Sequence, residues 1–121
     1  MKKNSNFIDS LLVAIHGILF VFKTERNFKI HTIMSLIVFF MSLLFKLNPI
    51  EFCIILIMIC IVLTLEIINT VIENIMDYLD KNYNEYIKRI KDISAGAVLI
   101  SAIIAFVVGV IIFVPKIFFL L

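Results

Sequence analysis

Glu66, Asn69, Glu73 and Asp77 stand at successive offsets of three, four and four residues. At about 100° per residue a helix brings them within an arc of roughly 80°, along about 16 Å of axis. The stretch Phe52 to Leu65 ahead of them is uncharged, and the pattern beyond Glu66 stays mostly apolar to Met76. A carboxylate in such a setting is costly, on the order of 2.5–3.5 kcal/mol at the centre of a bilayer, and usually marks a functional pathway. Polar residues of this kind can also join helices through hydrogen bonds, yet three carboxylates are poor glue unless something cationic sits among them. A divalent cation fits that need, because Mg²⁺ takes oxygen ligands and is often held by one or two carboxylates plus substrate phosphates. Glu25, just before the first apolar run, and Lys91 with Asp92, at the start of the last, reach the same level of the chain's layout. The three glycines, Gly17, Gly96 and Gly109, fit neither Walker nor Rossmann spacing, so a nucleotide here must rely on metal, lysine and other side chains.

The elements that must position these groups are membrane helices. Of the 121 residues 63% are hydrophobic and 17% charged, against about 45–50% and 25% in ordinary soluble domains. The length allows one domain, 1–121, and the composition excludes a cytosolic globular enzyme, a disulfide scaffold and a disordered chain. A net charge of +2 with dispersed bases excludes nucleic acid as a partner. Ile93 to Pro115 is uncharged and long enough to span alone; Thr32 to Phe45 needs its flanks, and the run from Phe52 spans only with Glu66 inside it. The expectation is an all-α integral membrane protein with spans over 29–47, 51–77 and 93–115 and a polar cytoplasmic connection over 78–92. Ahead of them, 5–24 reads as an amphipathic surface helix: Ile8, Leu11, Leu12, Ile15, Ile18, Leu19 and Phe22 keep helical spacing while Asp9, His16 and Lys23 recur every seven residues. Charge spread through that run and the lack of a small-residue cleavage site speak against a signal peptide. Nine of the 11 basic residues fall in the N-terminal arm (Lys2, Lys3, Lys23, Arg26, Lys29) and in the 78–92 connection (Lys81, Lys88, Arg89, Lys91), leaving Lys46 and Lys116 opposite. The positive-inside rule then places the N-terminus in the cytoplasm of a multi-pass cell-membrane protein.

Other features read as structure. Ala97, Ser101, Ala105 and Gly109 form a small-residue stripe suited to close helix packing. Cys53 and Cys60, about 10 Å apart along one helix, cannot pair and serve as apolar filler. The 12 phenylalanines are packing or lipid-facing residues, and two histidines do not make a zinc site without further ligands. His31 reads as an interfacial hydrogen-bonding residue, while His16 could approach a phosphate.

Taken together, Glu25-Arg26-Asn27-Phe28-Lys29-Ile30-His31, then Glu66-Ile-Ile-Asn69-Thr-Val-Ile-Glu73-Asn-Ile-Met-Asp77, then Lys91-Asp92-Ile-Ser-Ala-Gly-Ala97-Val98-Leu99 resemble the prokaryotic diacylglycerol kinase and undecaprenol kinase family, in order and at matching spacing over nearly the whole chain. The resemblance implies a homotrimer of three-span subunits with N-terminal surface helices, sharing active sites and moving the γ-phosphate of MgATP to a lipid alcohol. By position it makes Glu66 the general base at the lipid hydroxyl and Asn69 a polar support for the reacting groups. Glu25 and Glu73 become ligands of Mg²⁺ on ATP, Asp77, Tyr83, Lys91 and Asp92 nucleotide-site residues, and Phe28 and Lys29 neighbours of the lipid headgroup. The family often has Glu-Tyr-His in the cytoplasmic connection where this chain reads Asn82-Tyr83-Asn84. Phosphoryl transfer asks mainly for positioning and charge neutralisation, and the roughly 10 Å of axis between Glu66 and Glu73 favours dividing the work between base and metal.

Within the family, the Glu25-Arg26-Asn27 start and His31 resemble the branch acting on undecaprenol; the diacylglycerol branch typically has an acidic residue at that histidine. Undecaprenol is thus the expected acceptor, giving undecaprenyl phosphate, with diacylglycerol and phosphatidic acid as the alternative. A reading from another class is a small proton-coupled exporter built on Glu66, and a third is a scaffold whose polar residues serve assembly only.

Overall fold

The structure is a computed structural model that describes residues 6–121. Lys2, Lys3 and Ser5, which the sequence reading assigns to the N-terminal arm and surface helix, lie outside the described residues. Four helices follow one another, α1 Phe7–Thr24, α2 Arg26–Leu44, α3 Pro49–Leu79 and α4 Glu85–Leu120, with no strand among the described residues. All four are long and apolar enough to cross a membrane, α1 included.

The helix ends are set by local chemistry. Asn6 caps α1 by accepting from the Asp9 amide at 2.8 Å. A single extended residue, Glu25, separates α1 from α2, and its carboxylate makes no capping bond to the helix it precedes. At the far end of α2 the chain turns through Lys46 in the left-handed region (φ 51°), and the Lys46 and Leu47 amides bond back to the carbonyls of Leu43 and Ser42. This is the Schellman closure that glycine usually serves. Asn48 then opens α3 with a reciprocal capping box: its side chain accepts from the Glu51 amide at 2.8 Å, Glu51 Oε1 accepts from the Asn48 amide at 3.2 Å, and Pro49 occupies the first turn, where its missing N–H costs nothing.

Helix limits depart from the segments expected from hydropathy. Of the polar stretch 78–92 only about five residues between α3 and α4 are irregular; Asn84 accepts from the Tyr86 and Ile87 amides and starts α4 there. Hydropathy marks where a helix meets lipid, whereas a cap marks where the backbone begins to coil, and the two differ by two turns here. At its other end α4 continues through Pro115 to Leu120; the proline removes one bond, that to the Ile111 carbonyl, near a helix terminus where the loss is small. At 1.5 Å per residue α3 is about 46 Å long and α4 about 54 Å, so both outreach a hydrocarbon core of about 30 Å.

α3 is the hub, packing against α4, α2 and α1, while α1 touches only α2 and α3. The apolar core sits at the Asn48 end, where Ile55, Ile112 and Phe113 are enclosed by Val38, Met41, Phe45, Leu47, Ile59 and Val108. Phe45 and Phe113 meet there edge to face at 6.0 Å, and Lys116 bridges α4 to Glu51 at 2.9 Å. Most large apolar side chains, such as Phe40, Phe106 and Phe119, face outward, a surface suited to lipid and unsuited to water. Further along the bundle the buried side chains turn polar, with Glu66, Asn69 and Thr70 enclosed on α3 and Ser101 on α4.

Candidate active site

Counting along α3 from Pro49, Glu66 lies about 26 Å up the axis, Glu73 about 36 Å and Asp77 about 42 Å. If the capped end of α3 meets one face of a 30 Å hydrocarbon layer, Glu66 is just inside the other face and Glu73 and Asp77 are beyond it. In that placement the stripe crosses a membrane boundary, its first carboxylate on the apolar side.

Glu66 is 4% exposed. Its side-chain neighbour is His31 of α2, with Nε2 at 3.4 Å from Oε1, a distance for electrostatic contact longer than a well-made hydrogen bond. Glu73 follows two turns on along the same side of α3, and Glu25 stands at the α1–α2 joint. One turn on, Thr70 donates its hydroxyl to the Glu66 carbonyl at 3.0 Å and is satisfied within the helix. Asn69 is buried, and its Oδ1 lacks a hydrogen-bond partner. A buried amide oxygen left open is unusual and suits a group that meets a ligand.

The remaining expected site residues fall into three settings. Asp77, beyond the boundary, pairs with Lys91 and ties α3 to α4. Asp92 pairs with Lys88 one turn earlier at 2.7 Å, and the hydrogen bond and charge of Asp92 hold the Lys88 ammonium above its ordinary pKa. Both expected nucleotide contacts on α4 are thus engaged in exposed or half-exposed ion pairs, which exchange partners at little cost. Tyr83 stands exposed in the bend between α3 and α4. Lys29 is exposed, whereas Phe28, which the resemblance places beside a lipid headgroup, is 4% exposed and packs edge to face on Phe22 at 6.5 Å, fastening α1 to α2. In the single chain Phe28 acts as a packing residue.

Among the described residues no three His, Cys, Asp or Glu side chains gather closely enough to hold an ion alone. Glu25, free of a capping role, and Glu73 offer two carboxylates, and a Mg²⁺ ion carried on nucleotide phosphates needs no more. The donor set fits MgATP better than a resident metal.

An apolar cavity of about 350 Å³ opens between α2 and α4, which do not pack backbone to backbone. Val38, Ile59, Val62, Ala105 and Phe106 are among its walls, and His31 is the ionisable group on its lining. The site thus has an apolar approach ending at His31, which contacts Glu66, and a charged approach past Glu73 and Asp77. That combination serves a reaction between an amphiphile in the bilayer and a charged molecule in water.

The model of the family described as prokaryotic diacylglycerol kinase matches residues 12–113. The chain belongs to that family. A diacylglycerol kinase of Synechocystis sp. is 36% identical over 115 residues, taking in 90% of this chain and 66% of its own length. An undecaprenol kinase of Bacillus subtilis is 36% identical over 112 residues, taking in 93% of this chain and 91% of its own. This chain therefore spans just under two thirds of the first relative and nearly all of the second. By name both are lipid kinases, and every site residue discussed above lies inside the matched region. The residue that sequence reasoning left out of the site is His31. Its place at the end of the Glu25–His31 motif and early in an apolar run marked it as an interfacial hydrogen-bonding residue, but nothing in the sequence said which helix it would face.

Proposed function

We propose that this protein is an ATP-dependent lipid kinase that transfers the γ-phosphate of MgATP to the hydroxyl of undecaprenol, giving undecaprenyl phosphate. The observation that carries this reading is the placement of Glu66, buried on α3 and 3.4 Å from His31, the ionisable group on the wall of the apolar cavity. Glu66 takes the proton of the lipid hydroxyl as its oxygen attacks the γ-phosphorus, and ADP leaves with the electron pair of the broken bond. Asn69, through its open Oδ1, orients the groups that meet there. Glu25 and Glu73 hold the metal that arrives with ATP; when bound, that Mg²⁺ neutralises phosphate charge. Lys91, with Asp92 and Asp77 beside it and Tyr83 in the neighbouring bend, provides the nucleotide side. Lys29 serves the headgroup region, and Phe28 supports it by fixing α1 on α2.

Undecaprenol is favoured over diacylglycerol by the Glu25-Arg26-Asn27 start and by His31, where the diacylglycerol branch typically has an acidic residue. We further read α1 as lying on the cytoplasmic surface of the bacterial cell membrane: Val21 is its one buried residue, and polar Asp9, His16 and Lys23 share a face. The other three helices span, with the N-terminus cytoplasmic. A homotrimer accounts for the small-residue stripe of α4, where an added methyl at Gly109 would meet nothing within 4 Å in the single chain. A proton-coupled exporter would use Glu66 but leaves the carboxylates and lysine beyond the boundary without work.

The test is phosphate transfer from labelled MgATP by the purified protein in mixed micelles, with undecaprenol and diacylglycerol supplied separately. Labelled product on undecaprenol supports the assignment, a preference for diacylglycerol moves the chain to the other branch, and no product on either overturns the kinase reading.

A further inference from the structure

The lipid-kinase reading leaves one step without a group to perform it. After each transfer Glu66 carries the proton taken from the lipid hydroxyl, and its side chain is only 5% exposed, so it has almost no direct path to water. Until that proton leaves, the base is spent.

The geometry points to His31 as the positioning and proton-accepting partner that resets Glu66. Nε2 of His31 lies 3.4 Å from Glu66 Oε1, and the His31 side chain is 25% exposed, five times more than its partner. His31 stands five residues into α2, about 7.5 Å along the axis from Arg26. The imidazole therefore touches the buried carboxylate on one side and keeps a quarter of its side-chain surface exposed on the other. Among the elements around it, α3 presents Glu66, with Glu73 farther along, and the α1–α2 joint presents Glu25. α4 offers only Ala102, Ala105, Phe106 and other un-ionisable groups to the shared cavity. His31 is thus the base in contact with Glu66 and placed to receive the proton, while the carboxylates of Glu25 and Glu73 are taken up by the metal in the proposed reaction.

The step balances within these groups. Neutral Glu66 gives its proton to the unprotonated Nε2, leaving a carboxylate and an imidazolium in contact. The imidazolium then passes the proton to interfacial water and returns to neutral before the next lipid arrives. The 3.4 Å separation need only close by a few tenths of an ångström, as contacts between catalytic groups commonly do once substrate binds. His31 touches Glu66, not the phosphate, so its contribution is to turnover and not to binding.

The experiment compares full-length wild type, His31→Gln and His31→Ala in mixed micelles with MgATP and undecaprenol. In both variants kcat is expected to fall about 10²-fold, the low end for a proton-transfer group, with both KM values within about twofold because binding contacts are kept. The acid side of the kcat–pH profile loses the ionisation that His31 supplies, and added imidazole restores rate to His31→Ala but not to Glu66→Gln. Matching helicity and thermal midpoint in His31→Gln show that the fold survives. Wild-type kcat in either variant across the pH range overturns the inference. So does a loss that imidazole cannot restore together with an unchanged profile, because a packing role alone would give that result. Wild type inactive on both lipids would instead overturn the kinase reading, and that is seen before any variant is made.

Discussion

Replacing Glu66 by Gln removes the one group able to accept the lipid proton while keeping nearly the same volume and a carbonyl oxygen facing His31. A general base is worth about 10²–10⁴ in rate, or about 2.7–5.4 kcal/mol of barrier at roughly 1.36 kcal/mol per decade. The folded bundle pays no matching penalty. An ionised carboxylate at depth costs on the order of 2.5–3.5 kcal/mol, partly offset here by contact with His31, and the amide avoids that cost. Glu66→Gln is therefore expected to lose at least 99% of kcat, about two decades, with an unchanged ATP KM and a thermal midpoint no lower than wild type. The assay is initial-rate phosphate transfer in mixed micelles, paired with thermal unfolding of the same preparations. A variant that melts like wild type and keeps more than about a tenth of its rate would show that Glu66 is not the base.

Glu25→Gln and Glu73→Gln are each expected to raise the Mg²⁺ concentration needed for half-maximal rate by about tenfold, one lost charge-assisted contact; a titration of rate against Mg²⁺ checks this, and chelation should abolish transfer reversibly. Lys91→Ala breaks a half-exposed pair with Asp77 that is worth about 0.2–1 kcal/mol at most, so its thermal midpoint stays close to wild type while ATP KM rises. An unchanged KM would confine Lys91 to tying α3 to α4. Asn48→Ala removes the capping box at the far end of α3 and lowers stability by about 1 kcal/mol with kcat unaffected, read by thermal unfolding and the transfer assay together.

The apolar helices and the acidic stripe were legible because each is local. Runs without charge mark helices that meet lipid, and a three-four-four spacing puts Glu66, Asn69, Glu73 and Asp77 on one side of α3 whatever surrounds it. Long-range relations were not legible. His31 and Glu66 are 35 residues apart, and their contact depends on the rotation of α2 against α3, which lipid-facing Ile, Leu and Phe do little to specify. Phe28 could be matched to a family position, but its burial on Phe22 follows from the one-residue break at Glu25 that folds α1 back on α2. Lys91 and Asp92 could be placed at the membrane boundary, yet their pairing with Asp77 and Lys88 required knowing that α4 begins at Glu85, inside a stretch that hydropathy reads as connection.

The most direct measurement of the central claim supplies undecaprenol and diacylglycerol together in one micelle with ATP carrying heavy oxygen at its three terminal γ-positions, and weighs the lipids afterwards by mass spectrometry. The account predicts undecaprenyl phosphate bearing all three heavy oxygens, its bridging oxygen unlabelled because the lipid hydroxyl attacked phosphorus. Heavy inorganic phosphate released while both alcohols stay unchanged would contradict it.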